Sequence, residues 1–165
     1  MRQIQKIISA TFLLLSATMF VFPATAHSAG DKLENKIKTR QAGYKFMAWN
    51  MGKLKKMLVD DPISFDPKKA LGAAKVVQAV ANSGIGSLFV PGSEKTVNGV
   101  KTRVKPALFN PAKRDTLIKV ATDFNREANK LAEVAVGGDE DAIKEQFGKV
   151  GKTCKACHKE FKYKD

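Results

Sequence analysis

Strand-like alternation is scarce in this chain of 165 residues, and internal repeats and low-complexity tracts are lacking. The missing period-two pattern argues against a β-rich fold. Long apolar runs are short too. The one extended run, Ile7 to Phe22, is broken by Ser9, Thr11, Ser16 and Thr18. A permanent spanning helix wants about 20 apolar residues, so this run does not read as a membrane anchor. Arg2 and Lys6 precede it and Ala24-Thr25-Ala26 follows it, the pattern of a secretory signal peptide over residues 1–26. Residues 27–165 then form about one domain, long enough for one sizeable core. Acidic side chains are also few, 16 against 29 lysines and arginines, for a net charge of +13. No nucleic-acid motif accompanies that excess, and export argues against such a partner. Much of the charge reads as solvated surface, with steering of an acidic partner or attraction to an anionic membrane as its functional alternatives.

Cysteine and histidine are limited to two residues each. Both cysteines and one histidine fall in a single run, Cys154-Lys155-Ala156-Cys157-His158. This Cys-x-x-Cys-His arrangement attaches haem c: each thiol adds to a vinyl group, and the histidine becomes an axial iron ligand. On a helix the two sulfurs share a face, and His158 follows about 100° further round. Two other readings compete. A redox dithiol would expect a strand-then-helix context that is missing here. A zinc site would need a second Cys/His pair, and the remaining histidine, His27, sits beside the expected cleavage point. Haem attachment in bacteria takes place outside the cytoplasm, so the motif and the signal peptide together point to the periplasm.

Apolar spacing predicts four helices. Leu33, Ile37, Tyr44, Met47, Met51, Leu54 and Leu58 follow steps of three and four, with Arg40 filling a gap in the row, until Asp61-Pro62. Asp66-Pro67 opens a second helix whose inner row is Ala73, Val76, Val77 and Val80, ended by Asn82-Ser83-Gly84. A long connection rich in turn formers, including Pro91-Gly92 and Asn98-Gly99, leads to Asn110-Pro111. The third helix carries Leu117, Val120, Phe124, Ala128, Leu131 and Ala135 to Gly137-Gly138. Asp139 caps a fourth, whose inner row is Ile143, Phe147, Val150, Cys154, His158 and Phe161. The expectation is all-α: an antiparallel four-helix bundle with the haem motif in phase with its core.

Such a bundle with Cys-x-x-Cys-His near its C-terminus resembles the cytochrome c′ family. The resemblance covers the chain after the signal peptide. It is carried by Arg40-Gln41 with Tyr44 and Met47, by Leu88-Phe89-Val90-Pro91-Gly92, and by Val150-Gly151-Lys152-Thr153 leading into the motif. It implies that the residue four after the arginine, Tyr44, lies over the iron opposite His158. A neutral phenol is a poor ligand, with an ordinary pKa of about 10. The resemblance therefore implies five-coordinate, high-spin or spin-mixed iron. It also implies that Arg40 and Gln41 meet the haem propionates, for which a guanidinium fork is suited, and that Lys162 lies near the proximal face. Met47 is either core packing or the sixth ligand of a low-spin electron carrier.

The expected function is a periplasmic monohaem cytochrome that binds a diatomic gas, nitric oxide or carbon monoxide, and exchanges electrons. An enzymatic role is not expected, since no acid–base pair accompanies the distal positions. The resemblance also implies a homodimer through the first two helices, with Val59 or Ile63 as compatible apolar positions, while the excess of positive charge suits a redox partner of acidic character.

Overall fold

The computed structural model describes residues 29–164; the expected signal peptide, residues 1–26, lies outside them. Four long helices form: α1 Ala29–Lys55, α2 Pro67–Asn82, α3 Arg114–Gly137 and α4 Glu140–Phe161. They make the antiparallel four-helix bundle that the apolar spacing predicts. Their starts follow the capping side chains. Asp66 accepts the backbone N–H groups of Lys68 and Lys69 at 2.9 and 3.0 Å, with Pro67 in the first turn of α2. Asp139 accepts that of Ala142 at 2.8 Å. Each cap satisfies donors that a helix leaves open, and is worth about 1 kcal/mol. Gly138 ends α3 at φ +70°, and a Cβ there would stand 3.3 Å from Cβ of Pro67, so the turn into α4 sits against the start of α2.

Two boundaries differ from the expectation. After Lys55, α1 widens into a π-helical turn, Lys56–Asp60, closed by the Asp61 N–H on the Lys56 carbonyl at 2.8 Å. The altered phase lets the consecutive residues Met57 and Leu58 both face inward. Asn110 caps a 3-10 turn, Pro111–Lys113, and the α-helix proper starts only at Arg114. On α2 the fully inward side chains are Ala70, Ala73, Ala74 and Val77, while Val76 and Val80 are half-buried. The small alanines let α2 lie close to its neighbours.

The packing leaves one side of the bundle looser. α3 packs along α2 and α4, and α2 packs along α1. The close backbone approach of α4 to the first helix is through the π-helical turn, with none comparable along α1 itself. The long connection straps this seam. At its near end, Arg40 of α1 is buried and donates to Ser93 Oγ at 2.9 Å, the Ser93 carbonyl at 3.0 Å, Thr102 Oγ1 at 3.0 Å and the Leu88 carbonyl at 3.4 Å. Gln41 donates to the Lys101 carbonyl at 2.7 Å. Asn98 and Gly99, both at positive φ, turn the loop back on itself between Val97 and Val100. At its far end the strap holds α4: the Lys105 N–H meets the Phe161 carbonyl at 2.9 Å, and the Tyr163 N–H meets the Arg103 carbonyl at 2.8 Å.

Arg40→Met keeps the apolar stem but leaves the fully buried Ser93 without its donors. We expect it to lower stability by about 2–4 kcal/mol in urea unfolding of the holoprotein, because each buried acceptor left unpaired costs about 1–3 kcal/mol. Lys56→Met, an exposed control on the π-helical turn, should stay within about 0.5 kcal/mol of the parent.

Candidate haem-binding site

Cys154 and Cys157 lie one turn apart on α4, both free and half-buried. Burial pushes both thiols up from their ordinary value, aided at Cys157 by the charge of Cys154 and opposed at Cys154 by hydrogen bonds from its own backbone and Thr153. A nucleophilic dithiol requires the opposite shift, toward thiolate, so the redox-dithiol reading loses its support. The zinc reading fares no better, since no group of three or more metal-binding side chains is found among the described residues. His27 lies outside them.

Tyr44 of α1 is close enough to both cysteines for their charges to act on its phenol. Burial is the larger influence, and together they push its pKa up to about 12, against a smaller opposing pull from Arg40. Its ring meets Phe89 of the strap edge-on, centroids 6.1 Å apart. The Arg40 guanidinium covers the same Phe89 ring at 4.4 Å. Tyr44, Cys154, Phe124 and Phe147 all pack against one core cluster. Thus the seam between α1 and α4 is apolar, with two thiols on one wall and a neutral phenol on the other.

The other expected site residues fall in different places. Met47 is 7% exposed and belongs to the core cluster with Leu54 and Leu58. Arg40 and Gln41 are both engaged by the strap. Arg40 is 3% exposed, yet its hydrogen-bond partners are all neutral, and no carboxylate among the described residues pairs with it. A buried cation of this kind fits an acidic group supplied by a ligand. His158 corrects the expected inner row: it is exposed, because it stands about 60° round the helix from the line joining Ile143 to Phe161. Its imidazole lines an open cleft of about 410 Å³ with Lys162, Arg103 and other basic side chains. Burial lowers its pKa first, then the charges of Lys162 and Arg103.

Thiols at i and i+3, an apolar seam, an imidazole next in sequence on the flank of α4 and a buried cation with no carboxylate partner among the described residues are the chemistry that haem c requires, so the residues fit that group. Sequence reasoning used Phe89 only within the segment that carries the resemblance, and gave no role to Ser93, Thr102 or Arg103. The apolar run Leu88-Phe89-Val90 before Pro91-Gly92 was the available signal for the first; the others look like ordinary loop residues until the strap closes.

The elevated Tyr44 pKa has a consequence at high pH. Below pH 10 the phenol is neutral in both folded and unfolded chains. Between about 10 and 12 the unfolded chain releases the proton and the folded chain keeps it, so stability falls as pH rises. Relative to Tyr44→Phe, the parent should lose up to about 1.4 kcal/mol per pH unit across that window in denaturant titrations.

Comparison with known proteins gives the same answer as the geometry. A family model described as cytochrome c′ matches residues 35–162. Cytochrome c′ of Allochromatium vinosum is 45% identical over 141 residues, 86% of this chain and 88% of that one. The structure of cytochrome c′ from Thermochromatium tepidum superposes with a TM-score of 0.74 at 45% identity, over 80% of this chain and 97% of the other. A cytochrome c′ with ligand-controlled dimer dissociation gives a TM-score of 0.74 at 46% identity and the same coverage. With bundle and motif matched along nearly the whole described length, the chain belongs to the cytochrome c′ family and carries covalently bound haem c.

Proposed function

We propose that this protein is an exported monohaem cytochrome with His158 as the single protein ligand of five-coordinate iron, binding nitric oxide or carbon monoxide and exchanging electrons. Residues 1–26 serve as its signal peptide and the periplasm is its compartment. The haem supplies an iron that changes between ferric and ferrous states and accepts a diatomic ligand. The observation that carries the reading is Tyr44: a phenol held neutral, facing the cysteines and wedged against Phe89. Neutral phenol blocks a coordination position without filling it, so a ligand enters only by displacing the ring. Discrimination is then steric, favouring small neutral ligands over bulky or anionic ones.

Each remaining residue has a role in the same reading. Cys154 and Cys157 form the thioethers. Arg40 and Gln41 face the propionates, whose charge would neutralise the buried guanidinium. Lys162 lowers the basicity of His158 from the proximal side. Met47 acts as packing, since it is buried within the core cluster.

A homodimer through α1 and α2 belongs to this reading. Phe46 and Trp49 of α1 are 50% and 60% exposed and stack at 5.8 Å, while Ile63 beyond the π-helical turn is 99% exposed. Together they give α1 and the following turn an apolar outer face that suits a second copy. Tyr44 and this face share one helix, so ligand entry at Tyr44 can loosen the pair, as in the related protein with ligand-controlled dimer dissociation.

The ferrous protein should bind carbon monoxide with a visible shift of its absorption spectrum. Tyr44→Ala should raise that affinity by roughly a hundredfold, because displacing a packed aromatic ring costs about 3 kcal/mol and each decade is about 1.4 kcal/mol. Met47→Ala should leave the ferric spectrum unaltered; loss of a red sulfur-to-iron band in that variant would instead establish Met47 as ligand. For the dimer, Trp49→Glu should sediment as a monomer at concentrations where the parent is paired. Equal sedimentation of the two would defeat the α1 interface.

A further inference from the structure

The cleft beside His158 carries an uneven distribution of charge. Six cationic side chains line it: Arg103, Lys105, Lys155, Lys159, Lys162 and Lys164. Its other lining residues are His158 and Tyr163, so no acidic side chain among the described residues faces into it. The neighbouring acid, Glu160, is held outside by Lys113 at 2.9 Å. Elsewhere on α3 and α4 several basic residues are neutralised within their own helix. Lys119 and Arg126 share Asp123, Lys130 meets Glu133, and Lys149 meets Glu145. Arg103 is engaged within its own chain, which leaves five lysines as the recruiting charges.

The walls of the cleft are also fixed in place. Val104 and Lys162 form an antiparallel bridge, framed by the Lys105–Phe161 and Tyr163–Arg103 backbone bonds. Lys105 Nζ is tied to the Lys159 carbonyl at 2.9 Å. A set of cations held on a rigid concave surface loses little entropy on meeting an opposite surface. A lipid face would instead ask for apolar side chains beside the lysines. Of the exposed large apolar side chains among the described residues, Phe46, Trp49, Val59 and Ile63 lie on α1 and the turns after it, Ile118 and Val136 lie on α3, and only Tyr163 lines the cleft.

We propose that this lysine-rich cleft is the docking surface for an acidic electron-transfer protein, with His158 in its wall as the short route to the iron. The inference rests on the haem reading above and adds to it the surface and the charge of the partner. In the exchange the reduced partner gives up one electron and is oxidised, the ferric iron takes that electron and becomes ferrous, and no proton or bond moves. Electrostatic complementarity of this kind acts mainly on the association rate and is weakened by salt.

The test uses the holoprotein, mixed anaerobically with reduced plant-type [2Fe–2S] ferredoxin as an acidic protein donor, and with neutral lumiflavin semiquinone as an uncharged donor. The parent should accept electrons from ferredoxin on the order of tenfold more slowly at 200 mM salt than at 20 mM. Lys159→Glu with Lys164→Glu should slow that reaction on the order of tenfold at low salt. Lys68→Glu with Lys75→Glu, the same charge change on α2, should stay within about twofold. Lumiflavin should reduce all three proteins alike.

An equal loss in the cleft and α2 variants, or a parent rate indifferent to salt, would overturn the docking surface. So would cleft variants that keep the ferredoxin rate but lose binding to phosphatidylglycerol vesicles, since the cleft would then be a membrane contact. A parent protein without haem absorbance that lumiflavin fails to reduce would defeat the haem reading itself. Normal lumiflavin reduction without discrimination toward ferredoxin would defeat only the docking.

Discussion

A buried guanidinium without a counter-ion among the described residues is the constraint around which the haem side of this bundle is arranged. Arg40 sits on the inner face of α1, and the strap satisfies it with a hydroxyl from Ser93, another from Thr102 and two backbone carbonyls. Burying a charge is costly unless hydrogen bonds compensate it, so the strap is drawn onto α1 at this point. Phe89 then lies between Arg40 and Tyr44, touching one through its face and the other through its edge. The same strap continues to the C-terminal end of α4. One polar anchor thereby sets Phe89 against Tyr44 and steadies the helix that bears the cysteines.

The two faces of the haem seam divide the chemistry between them. The α1 side, built by Tyr44 and Phe89, is apolar and crowded, and the phenol is held uncharged. The α4 side, around His158, is open and cationic. In the proposed reading the first arrangement controls access of small molecules by steric cost, and the second acts at longer range on an acidic partner. Because α4 places Cys154 and Cys157 inward but turns His158 to the flank, a single helix serves both sides.

Much of this was legible in the chain itself. Asp66-Pro67, Asn110-Pro111 and Asp139 mark helix starts by chemistry that acts over three residues, and the structure uses each side chain as a cap. The four apolar rows gave the bundle, because a helix must bury its apolar stripe. The π-helical turn after Lys55 was not legible, since it arises from packing Met57 and Leu58 together against the core. The inward place expected for His158 was also wrong: a four-residue step looks in phase with Cys154, yet the drift of 40° per step carries it onto the flank.

The sequence by itself determined the attachment chemistry and the helical class, because the spacing of two thiols and an imidazole and the period of apolar residues are local properties. Only the tertiary structure decided what surrounds them. Ser93, Thr102 and Phe89 meet Arg40 across separations of about fifty residues or more. The lysines around His158 become one cleft only when the strap lies beside the end of α4. Such contacts depend on the path of the loop through space, and no local pattern of residues encodes that path.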